Sequence, residues 1–118
     1  MSDANLATVR RFWDALNARD VDAYLATFTE DGVAHDPVTR PPLRTSDERR
    51  AFLQGMLDTF SDVSAGIDYL TPCGDSTAVK WTIDATTTGG DPVRIEGIDI
   101  YRHAADGRIA EMWGYFQM

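Results

Sequence analysis

The first half of the chain repeats apolar residues at helical spacing. Steps of three and four residues predict a first helix with one buried stripe, formed by Leu6, Val9, Phe12, Trp13 and Leu16. Residues 17–20 break this pattern, and Asp20 is suited to cap a short second helix. The apolar face of that helix is Val21, Tyr24, Leu25 and Phe28.

A third helix is predicted from Thr45 onward. Thr45 and Glu48 have the spacing of a capping box, in which each side chain satisfies a free backbone N–H. Its buried stripe is Phe52, Leu53, Met56, Leu57 and Phe60. Before it, residues 32–37 resemble an edge strand ended by a proline, and residues 38–44 form a loop.

The second half of the chain has the alternation of strands. Strands are predicted over residues 63–70, 78–87, 92–103 and 108–118, with turns at residues 72–74, 89–90 and 106–107. The Asp-Gly pair at 106–107 predicts a hairpin between the last two strands. Helices followed by antiparallel strands indicate a single α+β domain over residues 1–118, with the helices on one face of a curved sheet.

The last two strands carry apolar residues on both faces. Ile98 and Ile100 share one face of the third of these strands, and Trp113 and Tyr115 share one face of the last strand. Since only one face can meet the helices, the other is expected to meet a second subunit. The sequence therefore predicts a homodimer.

Composition and charge exclude several classes of function. The chain has 118 residues and a net charge of -8, and such an acidic surface repels nucleic acid. No apolar run approaches the ~20 residues of a membrane span, and the polar stretch Met1 to Val9 does not resemble a signal peptide. Cys73 is the only cysteine, which favours the cytoplasm. With His35 and His103 it forms no zinc motif, and no cofactor is expected.

Asp36 and Asp99 are the candidate catalytic residues. Asp99 lies between two isoleucines in a strand, where an unpaired carboxylate is costly to bury. Two carboxyl groups in one apolar pocket can divide the roles of acid and base. The alternative is that Asp36 caps the Pro37 turn and Asp99 faces solvent. His35 is expected on the opposite face of its strand from Asp36, and Arg49 on a solvated helix face.

Two segments resemble the bacterial ketosteroid isomerases of the nuclear transport factor two-like superfamily. Residues 30–37, followed by Pro41 and Pro42, resemble the segment of their catalytic base. Residues 97–102 and the hairpin after them resemble their oxyanion-site strand. The resemblance implies a cone-shaped, curved antiparallel sheet with three N-terminal helices around a pocket on its concave face. It also implies that Asp36 is the general base and that Asp99 is a protonated hydrogen-bond donor.

The resemblance also implies different pKa values for the two carboxyls. Asp99, among apolar strands, is expected to have a raised pKa. Asp36, at a strand end beside a loop, is expected to titrate near or modestly above ~4.

The sequence departs from that family at its oxyanion tyrosine. Phe12 occupies the corresponding position and has no hydroxyl to donate, and two supporting tyrosines are replaced by Phe28 and Leu53. Tyr24, Tyr69 and Tyr101 are the alternative sources of a hydroxyl. The predicted substrate pocket is lined by Phe12, Phe28, Phe52, Met56, Met112 and Phe116.

Three functions follow from these observations. The first is an isomerase-like enzyme that moves a proton on a small hydrophobic ketone or enone, steroid- or polyketide-like. The second is a SnoaL-like polyketide cyclase, which closes a ring by aldol chemistry without needing the missing tyrosine. The third is a non-catalytic module for ligand binding or dimerisation, because one fold hosts many functions.

Overall fold

The computed structural model describes residues 3–117, so Met1 and Met118 of the predicted terminal segments lie outside the described residues. Three helices form where helical spacing predicts them: α1 (Asp3–Ala18), α2 (Val21–Ala26) and α3 (Ser46–Thr59). The strands are β1 (Phe28–His35), β2 (Phe60–Cys73), β3 (Ser76–Thr87), β4 (Pro92–His103) and β5 (Ile109–Phe116).

Side-chain caps fix where two of the helices begin. The Asp20 carboxylate accepts a hydrogen bond from the backbone N–H of Ala23 at 3.0 Å, which starts α2. Thr45 and Glu48 form the predicted capping box at the start of α3. Both predicted caps are therefore confirmed.

The five strands form one curved sheet in the order β1-β5-β4-β3-β2. Strands β2 to β5 pair antiparallel as predicted, whereas the edge strand β1 pairs parallel to β5. No hairpin joins β1 to β5, so no tight turn dictates an antiparallel pairing. Phe28 and Phe60 start strands, although their spacing had placed them at the ends of helical stripes.

The two faces of the sheet have different surroundings. The helices cover the concave face and enclose an apolar core that includes Val9, Leu53 and Ile109. On the other face Ile98 and Tyr115 are exposed, at 47% and 52% of their surface. Among residues 3–117, no helix is both long and apolar enough to cross a membrane.

Candidate active site

A cavity of about 350 Å³ lies between the helices and the concave face of the sheet. Asp36 and Asp99 are both in its lining, together with Tyr24, Arg40 and Trp81. The lining also includes four of the apolar residues predicted to line a pocket: Phe12, Phe52, Met56 and Phe116. A volume of this size suits a small organic ligand.

The other two predicted pocket residues do not line this cavity. Met112 is completely buried in the core on the inner face of β5. Phe28 is also buried, and its ring packs against Tyr24 and against the guanidinium of Arg49, 4.9 Å away. The sequence pattern predicted correctly that both residues face inward, but whether an inward residue lines the cavity or packs in the core depends on tertiary packing.

The two carboxyl groups meet above Gly114 of β5. Asp99 pairs with Gly114 across the β4–β5 ladder, and His35 pairs with Trp113, so Asp36 follows beside Gly114. A Cβ atom on Gly114 would lie 2.7 Å from Asp36 Oδ1 and 3.2 Å from Asp99 Oδ1. Sequence reasoning missed Gly114, although a glycine inside a strand often marks a close approach by another group.

Asp99 is anchored by a chain of hydrogen bonds. The Tyr101 hydroxyl donates to Asp99 Oδ2 at 2.7 Å, and Trp13 Nε1 donates to the Tyr101 hydroxyl at 3.1 Å. Asp99 Oδ1 is buried and has no hydrogen-bond partner among residues 3–117. The indole N–H of Trp81 is close enough to lower the pKa of Asp99, but it meets no acceptor at hydrogen-bonding geometry within those residues.

Burial raises the pKa of both carboxyls. Desolvation raises the pKa of Asp99 to about 6, although the hydrogen bond from Tyr101 favours the ionised form. Desolvation and then the charge of Asp99 raise the pKa of Asp36 well above its ordinary value. The expectation that Asp36 titrates near or modestly above ~4 is therefore wrong, because this carboxyl is desolvated in the cavity lining beside Asp99.

The three candidate tyrosines have different positions. Tyr24 is buried in the cavity lining and Tyr101 is buried but outside that lining, whereas Tyr69 is 65% exposed on β2. The ring of Phe12 lies between the two buried tyrosines, with centroids 5.3 Å from Tyr24 and 5.4 Å from Tyr101. The ring at the position of the family's tyrosine thus packs against two residues that carry hydroxyls.

His35 and Arg49 both lie outside the cavity lining. His35 stacks on Trp113 and contacts Glu111 at 2.7 Å, on the outer face as predicted. Arg49 is buried and donates to the carbonyl of Gly32, so its predicted place on a solvated face is wrong. The helical pattern of α3 does not show that β1 packs over the face of the helix that carries Arg49. Over residues 3–117, no group of His, Cys, Asp or Glu is arranged to hold a metal ion.

The curved sheet and its three covering helices have the fold of nuclear transport factor two-like proteins. The sequence profile of the SnoaL-like domain family matches residues 9–112. The chain belongs to the SnoaL-like domain family. No curated protein matches the sequence.

Solved structures share the fold at low sequence identity. SalBIII, described as an epoxide hydrolase/cyclase-like enzyme in pyran ring formation in the polyether salinomycin, has a TM-score of 0.87 and 23% identity, over 97% of this chain and 91% of its own. Rv0760c from Mycobacterium tuberculosis has a TM-score of 0.86 and 22% identity, over 100% of this chain and 94% of its own. AclR, a putative hydroxylase from Streptomyces galilaeus, has a TM-score of 0.84 and 20% identity, over 97% and 89%.

Proposed function

We propose that this protein is an enzyme that moves a proton on a small hydrophobic ketone or enone by general acid–base catalysis. The observation that carries the proposal is the convergence of Asp36 and Asp99 above Gly114 inside an apolar cavity. Two carboxyls held this close in a desolvated site oppose each other's ionisation, so the pair retains one proton over a range of pH. Such a pair offers a base and an acid at the same time.

Asp36 is the better placed of the two to act as the base. Its side chain lines the cavity and has no hydrogen-bond partner among the described residues, whereas Asp99 is held by Tyr101. In the isomerase reaction, Asp36 removes a proton from the carbon between the ketone and the alkene. It then returns the proton to the far end of the dienolate, and the double bond moves into conjugation with the carbonyl.

Asp99 is suited to donate a hydrogen bond to the oxygen of the substrate. Its unpartnered Oδ1 is more easily buried as a neutral O–H than as a carboxylate. A protonated Asp99 donates a hydrogen bond to the oxygen on which negative charge develops, while Tyr101 continues to hold Oδ2. The raised pKa of Asp99 supports this role, since the donor must keep its proton.

The neighbouring structures support the class of ligand. Rv0760c has been crystallised in complex with estradiol-17beta-hemisuccinate, a ligand with a large apolar body and oxygen atoms at its ends. The apolar walls of the present cavity, with carboxyls at one place in the lining, suit a ligand of the same general chemistry.

A ring-closing reaction is the second candidate. SalBIII is described as acting in pyran ring formation, and its fold covers nearly the whole chain. Ring closure also needs one group to remove a proton and another to donate one, and the Asp36–Asp99 pair offers both. The substrate would then be a polyketide-like chain.

The test is conversion of a β,γ-unsaturated ketosteroid to its conjugated enone, followed by ultraviolet absorbance. We expect turnover by the wild type and a loss of about 10²- to 10⁴-fold in Asp36→Asn, the usual contribution of a general base. Asp62→Asn, an exposed aspartate on β2, is the matched control and keeps full activity. Phe12→Tyr, which adds a hydroxyl to a ring in the cavity lining, should raise the rate.

Absence of turnover in both the wild type and Phe12→Tyr contradicts the isomerase function. A polyketide-like substrate that is cyclised only when Asp36 is present would then establish the second candidate. Ligand binding without either reaction would leave a binding module.

A further inference from the structure

We infer that Tyr24 binds the oxygen of the substrate as a hydrogen-bond donor, in place of the tyrosine that Phe12 replaces. This inference rests on the proposed function, because it assigns the oxygen site of the same cavity. The observation that carries it is that the buried hydroxyl of Tyr24 has no hydrogen-bond partner among residues 3–117.

Tyr24 is almost completely buried, with 1% of its surface exposed, and lies in the lining of the cavity that contains Asp36 and Asp99. Its hydroxyl is buried and has no hydrogen-bond partner among residues 3–117. Buried hydroxyl groups in folded proteins nearly always have a partner, since losing the bond to water is costly. A hydroxyl left unpaired beside a cavity is therefore suited to a polar atom of a ligand.

The other buried tyrosine cannot take this role as readily. Tyr101 already donates its single hydroxyl proton to Asp99 and accepts a bond from Trp13. Donation to a substrate would require Tyr101 to release Asp99. Tyr24 donates without breaking any bond seen among the described residues, because its proton is not committed.

The ring of Tyr24 is held in place before any ligand binds. It packs against Phe12, with centroids 5.3 Å apart, and against Phe28, with centroids 5.4 Å apart. A donor whose position is fixed by packing loses little entropy when it binds an oxygen. Its position on α2 therefore preorganises the hydroxyl.

The charges around Tyr24 keep it protonated. Burial, and then the carboxylate of Asp36, raise its pKa well above the ordinary value, while buried Arg49 acts in the opposite direction. A neutral tyrosine close to Asp36 is a donor at every pH where the base is active. The ligand is thus an apolar molecule with a carbonyl or enol oxygen. Tyr24 binds that oxygen near Asp36, the carboxyl that moves the proton.

The experiment compares Tyr24→Phe, which removes only the hydroxyl, with Tyr69→Phe, the same change at an exposed tyrosine. The first readout is binding of 2-naphthol, whose hydroxyl oxygen stands for the enol oxygen, followed by its fluorescence. We expect Tyr24→Phe to weaken binding by about 10-fold or more, as for one strong hydrogen bond, and Tyr69→Phe to leave it unchanged. The second readout is enone formation, where kcat should fall by about 10²- to 10³-fold in Tyr24→Phe alone.

The two readouts separate this inference from the proposed function. Equal binding of 2-naphthol by the wild type and Tyr24→Phe overturns the role of Tyr24, even if the wild type is an active isomerase. Tyr24-dependent binding in a protein without turnover supports the oxygen site and overturns the isomerase function instead.

Discussion

At the scale of single residues, the site depends on a glycine that has no side chain to contribute. Gly114 lets the carboxyls of Asp36 and Asp99 approach the backbone of β5 from two different strands. Any Cβ at this position would lie 2.7 Å from Asp36 Oδ1, which is closer than a carbon and an oxygen can pack. The absence of a side chain here is therefore what lets the two carboxyls come together.

Gly114→Ala should separate the two carboxyls and reduce the proposed activity by about 10²-fold or more, because small misplacements of reacting groups are costly. The measurement is enone formation, with circular dichroism to check the fold. Gly66→Ala, in β2, is the control, since nothing lies within 4 Å of a Cβ there. Full activity in Gly114→Ala would show that the pair does not act as a unit.

The carboxyl pair should also make stability depend on pH. The pKa of Asp99 is raised from 3.8 to about 6 and that of Asp36 is raised well above its ordinary value, so the folded state binds protons more tightly than the unfolded state. The stability contributed by the protonated pair is fully present below about pH 4 and is lost as the pH rises through about 6 and above. Above that range, the ionised pair destabilises the fold.

Asp36→Asn should consequently be more stable than the wild type at pH 8, because a neutral amide avoids burying a second charge beside Asp99. The difference should shrink towards pH 4. Urea denaturation at both pH values measures it, and Asp62→Asn at an exposed position should show no such trend. A wild type more stable than Asp36→Asn at pH 8 would contradict the prediction that the ionised pair destabilises the fold.

At the scale of elements, β1 and α3 position side chains of the candidate site. The parallel pairing of β1 with β5 delivers Asp36 beside Gly114, and the backbone N–H of Val38 bonds to the carbonyl of Gly114 at 3.0 Å. Helix α3, started by the Thr45–Glu48 capping box, carries Phe52 and Met56 over the cavity. The site is therefore assembled from elements that are far apart in the chain.

At the scale of the whole molecule, the outer face of the sheet divides into two parts. Around Lys80 it is charged, with ion pairs to Asp68 and Glu96. In the middle of β4 and β5 it is apolar, with Ile98, Ile100, Trp113 and Tyr115, and the Arg102–Glu111 ion pair lies beyond this apolar part. We propose that the apolar part is the interface of a homodimer, because self-complementary apolar patches are typical of two-fold interfaces.

Light scattering at micromolar concentration should therefore give twice the chain mass of 13.1 kDa. Ile98→Arg, at an exposed position of the apolar part, should shift the protein to the monomer, because burying the new charge in the interface is costly. Tyr69→Arg, at an exposed position on β2, should leave the dimer intact. A wild type that remains at the mass of one chain refutes the interface.

The sequence by itself determined most of the helices and strands and identified Asp36 and Asp99 as the two candidate carboxyls. Local rules sufficed for the caps at Asp20 and Thr45 and for the inward position of Phe52, because these depend on residues a few positions apart. For Asp99 the local pattern left a solvent-facing position open, and the family resemblance favoured the pocket in which it lies. The parallel placement of β1, the meeting of Asp36 with Asp99 over Gly114 and the unpaired hydroxyl of Tyr24 were decided by the tertiary structure. These features join residues that are far apart in the chain, and desolvation depends on all the surrounding elements together, which no local pattern records.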